Sequence, residues 1–325
     1  MSFELTELQA ASDDYWDKQA TDIMFLDNVI LYLLLGKGKM VDDLVTAGEL
    51  VDGGLMIRVP LEYGSANVST YGTGTTLSGT KQTIVNAARF QWAGYIADNY
   101  ITLDDKIQNA GLAAKVDLAF TRLRNIQKTL RDKMGTDIYA AHGGDDDAFM
   151  GLDDMFSTVT STAYATIKEA DMAKWKANLI ATAEAIGFKT LQTMRRTASV
   201  GQNKGDKPNL YVTTEELKDG YERTLQTQVR YMSDQNLADA GFTNCLFGGS
   251  PVVADDKCGA GVAVGLNLQY AKIRTHRDFA FTRPQWAVVS PLVPDKLGAH
   301  SKWIGQFATN HRAAHVKHTN LETPA

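Results

Sequence analysis

The stretch YGTGTTLSGTK, Tyr71–Lys81, decides how this chain is read. Three glycines, five threonine or serine hydroxyls and a lysine in eleven residues have the composition of a phosphate-holding loop. A Walker-type loop, however, needs Ser or Thr directly after the lysine, then a helix whose first N–H groups hold the phosphates. Here Lys81 is followed by Gln82 and by the β-branched Thr83, Ile84 and Val85. Upstream, GGLMIRVPLEYG alternates, with Leu55, Ile57, Val59 and Leu61 on one face and Met56, Arg58, Pro60 and Glu62 on the other. Downstream, QTIVNAARFQWAGYI (Gln82 to Ile96) is again β-like. Both flanks are extended, so the stretch is the tip of a long hairpin of about twenty residues per arm, with Gly72, Gly74 and Gly79 serving the turn. Pro60 removes a ladder donor and places its strand at an edge or in a two-stranded ribbon. The second glycine–lysine run, GKGK (Gly36 to Lys39), lacks the hydroxyl residue and the spacing.

A two-stranded ribbon is at best marginally stable alone, and it is normally supported by packing on something else, often another subunit. The tip is therefore expected to make intersubunit contacts through Tyr71, Gly72, Gly74, Gly79 and Lys81.

Around this ribbon lies an ordinary globular composition. The 325 residues are 44% hydrophobic and 22% charged, with seven prolines, which suffices for one large or two medium domains. The net charge of −5 offers no global attraction to nucleic acid or anionic lipid, although a protein that merely surrounds nucleic acid need not be basic. Cys245 and Cys258 form no disulfide framework and suit a reducing compartment. The N-terminus lacks the layout of a secretory signal. The run VILYLLL (Val29 to Leu35) is too short for a membrane span and reads as a buried or interfacial helix. Charge is uneven. Residues 1–53 carry eleven acids against three lysines, while the segment after Gly298 holds Lys302, Arg312 and Lys317 against Glu322, with four of the six histidines. An acidic arm and a basic tail either attract each other or form two separately solvated surfaces.

From Leu103 onward the period changes. Leu112, Val116, Ala119, Leu123, Ile126, Leu130, Met134 and Ile138 recur at steps of three and four, predicting one amphipathic helix of about eight turns. Its other face, with Arg122, Arg124, Lys128, Arg131 and Lys133, reads as solvated. DMAKWKANLIATAEAIG and FKTLQTMRRTASVG read as helices stopped by Gly187 and Gly201. KPNLYVTTEELKDGYERTLQ reads as a strand and then a helix capped by Thr213 or Thr214. The remainder is mostly β.

Candidate chemistry is sparse. Asp145, Asp146, Asp147, Asp153 and Asp154 carry hard-cation ligands but lack the alternating spacing that aims several oxygens at one centre. A solvated loop is the expectation, with a metal-dependent hydrolase as a distant alternative. His311 and His315 share a strand face while His318 points to the other, which argues against a shared zinc. No serine or cysteine nucleophile stands out. The chain is read as a non-enzyme without metal or cofactor.

The segment LFGGSPVVADDKCGAGVAVGLNLQYAKIRTHRDFAFT (Leu246 to Thr282) resembles a pattern in the major capsid proteins of tailed bacteriophages. There a leucine–x–glycine–x–Pro-Val-Val strand is followed by an acidic turn, a glycine and a further strand. Gly249, Pro251, Val252, Val253, Asp255 and Gly261 carry the match. The order of segments is similar, over nearly the whole chain, to the capsid fold of the Hong Kong 97 type. The resemblance implies an α+β fold with an N-arm at 1–53, an E-loop hairpin at 54–102, a P-domain with a spine helix at 103–163, an α/β A-domain at 164–276, and a β return to the P-domain at 277–325. It implies a structural head protein that self-assembles as hexamers and pentamers of an icosahedral shell around double-stranded DNA. The implied partners are a separate scaffolding protein, a portal and optionally a decoration protein, with no membrane. The implied location is the virion, after assembly in the host bacterial cytoplasm. Some members of the family cross-link an E-loop lysine to a neighbour's asparagine; Lys81 sits where such a lysine would, with Asn310 and Asn320 as candidate partners. An encapsulin-like compartment shares the fold and is the alternative.

Overall fold

A computed structural model describes residues 28–35, 49–76, 79–102, 105, 112–144, 147–198, 207–225, 244–282, 285–290 and 293–324. The architecture is mixed α and β, organised by two sheets that share one core.

The first sheet is built on the strand Val293–Thr309, seventeen residues long. Along one edge it pairs antiparallel with Ala93–Ile101, from Leu297 opposite Ile101 to Gly305 opposite Ala93. Along the other it pairs antiparallel with Ala287–Ser290 and then with Ala271–His276, which in turn holds Glu49–Val51 in parallel. The helix Leu112–Asp137 packs on this sheet. Leu123, Ile126, Leu130, Met134 and the following Ile138 are all buried, so the spacing of three and four does produce the expected apolar stripe. At 26 residues the helix is about 39 Å long, a stiff strut.

The second sheet runs Asn244–Phe247, Ser250–Ala254, Leu210–Thr213, Ala263–Leu266, Val316–His318, Leu179–Ile180. Every residue of Leu210–Thr213 is buried because both faces are covered. Leu210 and Val212 point into the large core with Val253 and Val264. Tyr211 and Val252 point into a smaller core under the helices Phe188–Ala198 and Glu215–Leu225. Thr214 caps the latter helix, its Oγ1 accepting from Leu217 N at 3.4 Å.

Three expectations need correction. The segment 171–187 is not a helix. It forms turns and two short strands, Leu179–Ile180 and Glu184–Ala185, paired in parallel with residues 317–318 and 321–322. The buried Asn178 side chain donates to the carbonyls of Ala313 and His315, at 2.7 and 3.0 Å. These long-range bonds outweigh a helix-like composition, and Gly187 opens the next helix instead of closing one. Gly201 lies outside the described residues.

Second, the ribbon is shorter than read. Ile57–Glu62 pairs antiparallel with Val85–Phe90 in a ladder of six residues per strand. Ala93–Ile101 leaves the ribbon for the first sheet. Third, the ribbon's base is not unsupported. Ile57, Val59, Leu61, Ala88 and Phe90 are buried in the large core, whereas Leu55, ahead of the strand, is 88% exposed. Pro60 sits opposite Ala87 within this two-stranded ladder, as its missing donor requires.

Candidate functional site: the projecting ribbon and its anchors

Beyond the ladder the chain projects. Tyr63 and Gly64 both donate to Ile84 O, at 3.0 and 3.2 Å, and there the backbone pairing between the arms ends. Further out, Asn67 Nδ2 donates to Thr80 O at 2.9 Å and Gln82 Nε2 to Asn67 Oδ1 at 2.8 Å. Every described residue from 65 to 86 is exposed. Tyr71 is 99% exposed and Val68 92%, so two large apolar side chains stand in solvent at the far end.

At the tip, Thr75 N donates to Gly72 O at 3.0 Å and Gly72 N to Thr75 Oγ1 at 2.7 Å. Gly74 has φ +93° with nothing near the position of a Cβ, so it serves the turn as expected. Gly72 and Gly79 show no left-handed φ, and their glycine identity is not demanded by backbone geometry. Tyr71 and Lys81 are both exposed. Asn310 and Asn320 are also exposed, and Asn320 Nδ2 donates to Ala181 O at 3.1 Å.

Two contacts brace the ribbon's base, one directly and one through Tyr164, whose ring meets Phe90 edge to face at 5.7 Å. Arg89 N donates to Ala165 O at 2.9 Å, tying the ribbon to the hairpin of Ala163–Tyr164 and Ile167–Lys168. The turn of that hairpin holds Ala165 at φ 53° and Thr166 at φ 67°. Both are left-handed, a geometry that suits a two-residue turn but costs non-glycine residues about 1–2 kcal/mol each. The second anchor is Arg312, which is buried. Its guanidinium donates to Met155 O at 2.6 Å, Trp175 O at 3.1 Å and Ser157 O at 2.7 Å, and lies 5.0 Å from the centroid of the Tyr164 ring.

The short helix Val29–Leu35 is buried, with Ile30 and Leu35 fully so. Asn28 Oδ1 accepts from Leu31 N at 2.7 Å, and its Nδ2 donates to Gly135 O on the long helix at 3.2 Å. A Cβ at Gly135 would fall 2.8 Å from Asn28 Nδ2, so a larger residue there would push the Asn28 side chain aside. The remainder of residues 1–48 lies outside the described residues.

The other sequence candidates find structural partners. Asp154 accepts from His142 N at 2.8 Å and from Gly151 N at 3.2 Å, and Asp153 pairs with Lys317. Asp145 and Asp146 lie outside the described residues. The neutral His315 ring is fully buried between Asn267 N at 3.1 Å and Thr309 Oγ1 at 3.0 Å, and burial pushes its pKa down to about 3. His318 is also buried, 2.9 Å from Glu184 Oε1. No group of three His, Cys, Asp or Glu among the described residues is placed to hold a metal ion. Burial pushes the Cys245 and Cys258 thiols up to about 11 and about 12, so neither is poised as a nucleophile.

The basic tail is reduced as a surface: Arg312 is buried and Lys317 pairs with Asp153, which leaves Lys302 partly exposed. The helix stripe is also less solvated than read. Arg131 is buried and Arg122 pairs with Asp105 at 2.9 Å, while Lys128 and Lys133 are exposed as read. Sequence reasoning missed the role of Arg312, because the carbonyls that it engages lie far away in the chain.

No family model and no curated protein matches the chain. Solved structures do. The Cyanophage A-1(L) capsid asymmetric unit superposes with a TM-score of 0.67 at 18% identity, covering 91% of this chain and 94% of the other. The capsid of the native GTA particle gives 0.54 at 12% identity, covering 84% and 88%. The SrpI encapsulin complex of Synechococcus elongatus PCC 7942 gives 0.53 at 9% identity, covering 88% and 89%. The chain thus has the Hong Kong 97 type of fold that the sequence resemblance implied.

Proposed function

We propose that this chain is the major capsid protein of a tailed phage, a structural subunit that closes on copies of itself into an icosahedral shell. The observation that carries the reading is the exposure of every described residue from 65 to 86, Tyr71 and Val68 included, on a chain with a shell-forming fold. Covering one such apolar side chain against a neighbour gains about 1.5–3 kcal/mol, and each 1.4 kcal/mol is about tenfold in an equilibrium constant. Weak contacts of this kind, repeated head to tail around a ring, close a container in which each subunit is gripped on several sides.

On this reading the ribbon within residues 54–102 acts as the E-loop, and Tyr71, Gly72, Gly74, Gly79 and Lys81 meet the neighbouring subunit. Residues 103–163 and 277–325 form the P-domain, stiffened by the long helix. Residues 164–276 form the A-domain, whose loops gather at the centre of hexamers and pentamers. The shell encloses double-stranded DNA without sequence recognition, assembles in the bacterial cytoplasm with a separate scaffolding protein and a portal, and persists in the virion.

A second reading, an encapsulin-like compartment, is supported by the likeness to the SrpI complex. The likeness to the cyanophage capsid is greater in both TM-score and identity, and favours the first. Expressing the full chain and imaging it by negative stain tests both. Shells, in the presence of scaffold if required, are expected; a monomer at every concentration overturns both readings. Nuclease-protected DNA inside particles supports the phage head, and co-purified protein cargo supports the compartment.

A further inference from the structure

The outer face of the ribbon carries a charge conflict. The ladder sets Arg58 directly opposite Arg89, and both side chains are exposed. Arg89 N donates to Ala165 O at 2.9 Å rather than across the ladder, so the two arginines form a non-hydrogen-bonded pair. That is the narrow kind, with Cα atoms about 4.5 Å apart and side chains at their closest. Like charges placed directly opposite each other destabilise a ladder. Among the described residues no carboxylate forms an ion pair with either arginine. Glu62, on the same face, stands four residues along the strand from Arg58 and opposite Val85.

The described body of the same copy is on the wrong side to relieve this pair. Ile57, Val59, Leu61, Ala88 and Phe90 hold the inner face of the ladder in the large core, and the alternation of a strand then turns Arg58 and Arg89 away from it. The ribbon is also the basic part of an acidic chain. Residues 55–92 hold Arg58, Lys81 and Arg89 against Glu62 alone, while the whole chain nets −5, so the rest of the chain carries the entire surplus of acids. A basic projection on an acidic body is complementary to the body of the next copy, in a head-to-tail contact. The pair is continuous with the surface already read as such a contact: Val85, between it and the tip, is 61% exposed, and Val68 and Tyr71 stand in solvent beyond. We infer that Arg58 and Arg89 receive carboxylates of a second copy of this chain, laid along the ribbon. Each guanidinium offers a carboxylate a two-pronged hydrogen bond, and the conflict within the free subunit becomes an attraction between copies. The inference rests on the assembly reading and names where charge holds one copy to the next.

The test measures the full-length chain both unassembled and assembling. In the unassembled chain, Arg58→Gln and Arg89→Gln each remove the conflict, so each should raise the urea midpoint at low salt and lose that advantage as salt is added. In assembly, the same substitutions should raise the concentration at which shells form by about tenfold, read by sedimentation. A lowered urea midpoint means that a carboxylate of the same copy already pairs with the arginines, and overturns the proposal. Wild-type assembly that is indifferent to both substitutions overturns it while leaving the shell reading intact, whereas a wild-type chain that never assembles overturns both. A duplex oligonucleotide that the unassembled chain binds through both arginines, with assembly unchanged by their loss, assigns the pair to nucleic acid and also overturns it.

Discussion

Asp255 Oδ2 accepts a hydrogen bond from Val29 N at 3.2 Å, across 226 residues of chain. The carboxylate caps the first turn of Val29–Leu35, and its other oxygen accepts from Lys257 N at 3.0 Å. Burial pushes the Asp255 carboxyl above its usual range, opposed by these amide donors. The acidic turn after Ser250–Ala254 is thus the socket into which the start of the described chain is plugged.

This socket separates two truncations. Removing residues 1–27 takes nothing from the core of the described residues, and the subunit is expected to fold. Removing 1–35 takes Val29, Ile30, Leu31, Leu34 and Leu35 out of the large core. At about 1.5–3 kcal/mol each, that loss matches or exceeds the whole stability of a typical domain. Circular dichroism with urea titration should show a cooperative transition for the first and none for the second. Equal stability of the two would refute the role given to the helix.

Deleting Tyr71 to Lys81 and joining the arms with a short glycine linker should leave stability within about 1 kcal/mol of the parent, because the described residues among them are all exposed. Assembly, read by sedimentation, should be lost. Shells of normal yield would show that the tip is dispensable.

The turn at Ala165 and Thr166 stores strain that a better turn residue releases. Thr166 is exposed, β-branched and left-handed. Thr166→Asn should raise stability by about 0.5–1 kcal/mol, since Asn tolerates this conformation. A lower urea midpoint would mean that Thr166 makes a compensating contact.

His315 predicts an acid limb. Its folded pKa lies near 3 against the usual 6.5, because burial disfavours the charged ring. A depressed value means that the unfolded chain takes the proton first. The contribution is therefore intact above about pH 6.5 and falls by about 1.4 kcal/mol per pH unit below it. His315→Gln, uncharged throughout, should show a flatter loss of stability between pH 6 and pH 4. An unchanged slope would assign the acid limb to other groups.

Much of this was legible locally. Ile57, Val59 and Leu61 alternate because one face of their strand is buried, and Leu123 to Ile138 recur at helical spacing because one face of the helix is. What was not legible depended on distant partners. Leu179–Ile180 and Glu184–Ala185 become strands only because residues 317–318 and 321–322 lie beside them, and Arg312 counts as a surface charge until the carbonyls of Met155, Ser157 and Trp175 are placed around it. The ribbon's length was overestimated because a glycine- and threonine-rich stretch keeps an extended look after its ladder has ended. Of the predicted tip residues, Gly74 alone has a backbone reason for its identity.

The bond between Val29 and Asp255 also sets an order of events on the ribosome. At about 5–20 residues per second, the partner that seats Val29 emerges roughly 11–45 s after it, once 226 further residues have been translated. Until then the large core lacks one of its walls. The core of this chain is therefore closed only by the late arrival of its own acidic turn.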